Sequence, residues 1–149
     1  MKKIIPLILS LVLAACSAVG SEFDRNRTTW KNSGIAHYRF GLTLGCFCPF
    51  QDKMPLSIEV NQGEIVSIAG PDGKEISKDD VNYQLFADYG TIDRIFEKLD
   101  GAMDDKQAGD IIVKYDPTFG IPTEASIDYI KLAMDDEIYV TVSGFEKLP

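Results

Sequence analysis

From Ala36 to Leu44 the chain alternates without a break. Ala36, Tyr38, Phe40, Leu42 and Leu44 fall on one side, and His37, Arg39, Gly41 and Thr43 on the other. Only an extended backbone sends successive side chains to opposite faces, so this period of two dictates a strand with one face buried and one in water. Such a strand needs sheet partners beside it and a second layer over its apolar face.

The rest of the chain supplies both. Leu56, Ile58 and Val60 alternate with Ser57 and Glu59, Asn61-Gln62-Gly63 carries turn chemistry, and Ile65 to Ala69 returns as a second strand, so a hairpin is predicted. Ile111, Val113 and Tyr115 begin a further strand, and Asp116 to Pro122 forms a loop. Ala125, Ile127 and Tyr129 belong to its partner strand. Met134-Asp135-Asp136-Glu137 turns into a last strand with Ile138, Val140 and Val142 inward. Helical spacing appears in two places. Phe23 and Trp30 lie seven apart on a helix that Ser21 would cap and Gly34 would end. Ile92, Ile95, Phe96, Leu99 and Met103 form an apolar stripe behind Thr91 as N-cap, with Asp93 in the first turn. Between Gly70 and about Gly90 a polar connection is expected. The order is α-β-β-β-α-β-β-β. Short links join strands as hairpins, so the expected class is α+β: an antiparallel β-sheet with helices on one face.

Charge narrows the partners. The chain holds 15 basic and 23 acidic residues, a formal charge of −8. Such a surface repels nucleic-acid phosphates and anionic lipid headgroups, so no nucleic acid is expected as a partner. No phosphate-cradling glycine loop is present, which argues against a nucleotide.

The N-terminus reads as an export signal. Lys2 and Lys3 precede a short apolar run from Ile4 to Leu13, and small residues stand just before Cys16. The run is about half the roughly 20 residues that cross a bilayer. The sequence Leu13-Ala14-Ala15-Cys16 resembles the lipobox of bacterial lipoproteins. That resemblance implies cleavage after Ala15, a thioether from Cys16 to diacylglycerol, and acylation of its new amino group, as with palmitate. Two or three acyl chains anchor a protein stably, whereas one binds marginally. Cleavage leaves 13 basic against 23 acidic residues, or −10. The expected division is a signal peptide over 1–15, a lipidated cysteine and short tether over 16–21, and one α+β domain over 22–149. Ser17, where an aspartate would favour the inner membrane, points to the outer membrane facing the periplasm, or to the cell surface in a Gram-positive source.

Several spaced motifs occur together: Trp30 and Tyr38, Cys46-Phe47-Cys48, the Gly63 turn, Thr91-Ile92-Asp93 with Phe96, Tyr115-Asp116-Pro117 with Gly120-Ile121-Pro122, Ile127-Asp128, and Asp135-Asp136-Glu137. The combination resembles a family of small bacterial lipoproteins catalogued only as a domain of unknown function. The resemblance implies an envelope lipoprotein with no established activity, and it carries over no catalytic residue.

Two features remain as candidate chemistry. With Cys16 lipidated, Cys46 and Cys48 are the remaining thiols, in a compartment that favours disulfides. Residues i and i+2 of a strand are about 7 Å apart at Cα, beyond the usual 5.5–6 Å of a bridge, so a disulfide requires a bent backbone before Pro49. A metal site would need further ligands, and His37, the sole histidine, falls on the opposite strand face; no metal and no cofactor are expected. The second feature is two apolar loops, one with Phe47, Pro49, Phe50 and Pro55, the other with Phe119, Ile121 and Pro122. Exposed, Phe47, Phe50, Phe119 and Ile121 would make a partner-binding patch; tucked in, they complete the core edge. No Gly-x-Ser-x-Gly elbow exists and the acidic clusters sit in expected turns, so no catalytic set forms around one histidine. The expected function is a non-enzymatic envelope binding or assembly module that contacts an envelope protein or the cell wall. The alternative is a metal-binding or thiol-redox protein using Cys46 and Cys48.

Overall fold

The structure, a computed structural model, describes the backbone of residues 15–149 and the side chains from residue 22 on. The expected signal segment therefore lies outside the described residues, apart from Ala15. Helix α1 covers Ala15–Ser33. It begins before Ser21, which sits inside the helix rather than capping it; no proline or turn residue pair interrupts the small-residue stretch before it. Cys16 falls in the first turn of α1. The helix stops at Gly34, whose φ of +63° is left-handed.

Strands β1 (His37–Gly45), β2 (Leu56–Asn61) and β3 (Glu64–Ala69) follow as antiparallel neighbours, with a single 3-10 turn at Gln51–Lys53 between the first two. Short helix α2 (Tyr83–Asp88) and helix α3 (Ile92–Asp104) come next, then β4 (Ile111–Tyr115), β5 (Pro122–Asp128) and β6 (Glu137–Lys147). All six strands form one antiparallel sheet in the order β3-β2-β1-β6-β5-β4. The fold is α+β, as the alternation requires, in the expected order of main elements. Helix α2 is the addition. It lies in the stretch expected to be a polar connection, and it buries Phe86 and Ala87. Its six residues give too few turns for a periodic signal, and no side chain caps its start.

One face of the sheet holds the core. Tyr38, Phe40, Leu42 and Leu44 of β1, Ile58 and Val60 of β2, Ile127 of β5 and Val140 of β6 are buried there. The helices close over them. Trp30 of α1 meets Tyr38 edge-on at 5.4 Å, and Phe23 meets Phe96 of α3 at 5.6 Å. Full burial of one such side chain contributes about 1.5–3 kcal/mol. Helix α3 starts where the sequence places it: the Arg94 N–H donates to Thr91 Oγ1 at 3.1 Å, and the Ile92 N–H donates to the Tyr38 hydroxyl at 3.2 Å. The second bond pins the helix start to β1. Burial pushes the Tyr38 phenol up to about 12, so it stays protonated there.

Candidate functional site

The register of the sheet divides the molecule into two ends. At one end β1 and β5 begin and β4 and β6 finish; at the other β1 and β5 finish and β4 and β6 begin.

The first end is closed. The Asp116 carboxylate accepts N–H bonds from Thr118 and Phe119 at 2.9 and 2.7 Å, folding the loop after β4 back on itself. Gly120 follows with φ of +72°, and an added Cβ there would meet the Asn26 carbonyl of α1 at 2.4 Å. This contact seats the loop under α1 and turns its apolar residues inward. Ile121 is 2% exposed, and Phe119 is half-buried against Phe145 with ring centres 5.5 Å apart. Of the two alternatives for this loop, the structure takes the tucked-in one: Ile121 and Phe119 complete the core edge rather than a binding patch.

The second end differs. Beyond Gly45 the backbone bends, with the Cys48 N–H donating to the Cys46 carbonyl at 2.8 Å. The bend brings the two Cα atoms to 5.2 Å and the sulfurs are bonded. That is the bend a two-residue spacing needs, since a straight strand leaves the pair too far apart. Phe47, between the bonded cysteines, projects into solvent at 94% exposure. Phe50 does not: it is 2% exposed and packs edge-on against Phe86 of α2 at 5.2 Å. Phe50 thus leaves the expected patch for the core, because α2 supplies a wall the sequence did not announce.

The loop from β5 to β6 lies at the same end. Asp136 Oδ2 accepts the Ile130 N–H at 2.6 Å, and the Lys131 N–H reaches the Gln107 carbonyl at 2.8 Å. Between these anchors Leu132 holds a φ of +76° and Asp135 one of +67°. A bulky side chain in the left-handed region costs about 1–2 kcal/mol. The result is that Leu132 and Met134 stand 94% and 88% exposed, with Ile130 half-exposed beside them.

The water-facing side of β4, β5 and β6 adjoins this loop. Across it Ile112, Ser126, Tyr139 and Gly45 are register partners in one row. Ile112 and Tyr139 are exposed and wall a shallow groove of about 380 Å³ whose floor includes Ser126 and Thr141. One step towards the loop, Asp128 faces Glu137, and by the same alternation Asp110 precedes Ile112. One step the other way, Lys114 bonds Glu124 at 2.6 Å.

His37 lies at the far end of the sheet. Its Nε2 meets Glu59 Oε1 at 3.1 Å, its Nδ1 meets the Pro149 carbonyl at 2.8 Å, and Arg39 bonds the other Glu59 oxygen at 2.6 Å. The Pro149 carbonyl and then Glu59 hold the imidazole above its usual pKa, while Arg39 and then His37 hold Glu59 below its own. The histidine is thus committed to an ion cluster remote from the cysteines. Among the described residues no group of three or more His, Cys, Asp or Glu is arranged to hold a metal ion.

Sequence reasoning singled out Phe47 and missed Ile112, Ile130, Leu132, Met134 and Tyr139. The signal was present in the spacing of Ile130, Leu132 and Met134 ahead of three acids, which reads equally as the tail of a strand.

Comparison with known proteins places one family on the chain: the description of a family of unknown function (DUF6174) matches residues 22–147. No curated protein and no solved structure matches.

Proposed function

The chain belongs to the DUF6174 family of unknown function, and from that premise we propose a non-enzymatic binding or assembly module of the bacterial cell envelope. Its anchor is lipid on Cys16, supported by the order of Lys2-Lys3, the short apolar run and Leu13-Ala14-Ala15-Cys16. Its place is the outer membrane facing the periplasm, or the cell surface in a Gram-positive source. Its working surface is the end of the sheet that carries Phe47, Ile130, Leu132, Met134 and Tyr139.

One observation carries this reading: among the described residues most of the exposed large apolar side chains gather at one end, and Leu132 is held out on a left-handed backbone. Single exposed apolar residues are ordinary, whereas a gathered set marks an interaction site. Strained backbone that persists in a well-packed fold points the same way.

The test is site-specific photo-crosslinking of the full chain in its native membranes. A photoreactive residue at Leu132 is expected to give a discrete protein adduct, and one at Lys78, in the β3–α2 connection, to give none. No adduct at Leu132, or equal adducts at both positions, rejects the module reading.

A further inference from the structure

Strand β4 is an edge strand, with β5 on one side and, among the described residues, no strand on the other. An edge without a partner offers its N–H and C=O groups as a template for an extended segment. Side chains of a segment added there would alternate between the core side and the water-facing side, next to Ile112, the near wall of the groove. That groove is apolar where Ile112 and Tyr139 wall it and acidic at its loop end.

Asp128 and Glu137 are direct cross-strand partners, a like-charge pairing that destabilises a sheet. Asp110 lies alongside, and the Asp128 carboxylate packs on the Gly109 backbone, where an added Cβ would meet Oδ2 at 1.9 Å. Among the described residues none of these three carboxylates forms an ion pair. A cation placed there would relieve the repulsion. A lysine or arginine on an added strand fits there, since its methylene stem packs on Ile112 while its head stays polar.

We infer that β4 takes an extended basic segment of a partner protein, which adds as a seventh strand beside Ile112 and sets a lysine or arginine head against Asp110 and Asp128. This rests on the binding-module reading and names the chemistry of its partner. Complementary charge speeds encounter and fixes register, while the strand ladder and Ile112 hold the segment.

The test uses the full chain in detergent micelles and three nine-residue peptides: alternating lysine and valine, alternating glutamate and valine, and the lysine peptide N-methylated along one edge. The lysine peptide is expected to bind, with affinity falling as salt is raised. Asp110→Asn is expected to weaken it about threefold. Ile112→Ser weakens it at any salt, and N-methylation of the pairing edge abolishes it. Equal binding of the glutamate peptide, no binding of the lysine peptide, or displacement of bound peptide by phosphatidylcholine vesicles would overturn the inference. If the lysine peptide fails while Leu132 still crosslinks, this mode falls and the module reading stands. Absence of the crosslink removes the module reading itself.

Discussion

Two loops of this molecule end in opposite roles. The loop after β4, with Phe119, Ile121 and Pro122, reads either as a partner-binding patch or as core edge, and it is core edge. The loop after β5 ends in three acids and reads as a solvated turn, yet it carries Leu132 and Met134 into water. Local polarity does not decide which is buried. What decides is the layer above: α1 lies over the first loop through the Gly120–Asn26 contact, and no buried residue of the core comes from the second. A loop that a helix covers spends its apolar residues on stability. A loop left beyond the helices keeps them available for a partner.

That contrast sets the expected effects. The largest belongs to the covered loop: Ile121→Ala removes a buried side chain and is expected to cost about 2–5 kcal/mol in denaturant unfolding. Gly120→Ala should cost about 2–3 kcal/mol, from the left-handed backbone and the clash with Asn26. If either loses less than about 0.5 kcal/mol, the loop is not seated under α1. The cysteine loop comes next. Replacing Cys46 and Cys48 together with serine opens a very small ring, and chain entropy assigns such a ring only about 1.5 kcal/mol. The intact mass of the oxidised domain lacking Cys16 should be two hydrogens light, with no thiol open to alkylation. Two alkylatable thiols would put the metal or thiol-redox alternative in first place.

The exposed loop should behave in the opposite way. Leu132→Gly relieves the left-handed leucine, so stability is expected to hold or rise by up to about 1 kcal/mol. The same change should remove partner capture. Lost stability with capture intact would make the loop structural and erase the contrast.

The smallest effect tests the ion cluster at the closed end. His37 has a folded-state pKa above its ordinary 6.5. Its contribution is therefore fully present below pH 6.5 and is lost as pH rises through the folded value. Glu59 lies below its ordinary 4.5, so its contribution is present above that pH and fades as pH falls. Both are in force between these two values. The thermal midpoint of the wild type should fall slightly from pH 6 to pH 8, and His37→Gln should flatten that slope. An unchanged slope would show that the histidine is not paired in solution.

Much of the fold was legible because it rests on periodicity. The alternation from Ala36 to Leu44, the turn at Asn61-Gln62-Gly63 and the stripe from Ile92 to Met103 each demand one local structure, and each forms it. The closeness of Cys46 and Cys48 was legible as a condition, a bend, which the Cys48–Cys46 backbone bond supplies. Helix α2 was not legible, since six residues with no side-chain cap leave no periodic trace. The burial of Phe50 was hidden for the same reason, because its neighbour Phe86 sits on α2. The acidic row was hidden too. Asp110, Asp128 and Glu137 are distant in sequence, and only strand register brings them to one face. Composition marks which residues can bind; topology marks which are left free to do so.

The central claim is that the end bearing Phe47 and Met134 is covered in the envelope and open in the isolated protein. Mild peroxide oxidation reads this directly, because an exposed methionine converts readily to its sulfoxide. The rate at Met134 should be high in the purified full chain and markedly lower in intact native membranes, while half-buried Met54 should change little between the two. Equal Met134 rates in both settings would contradict the claim.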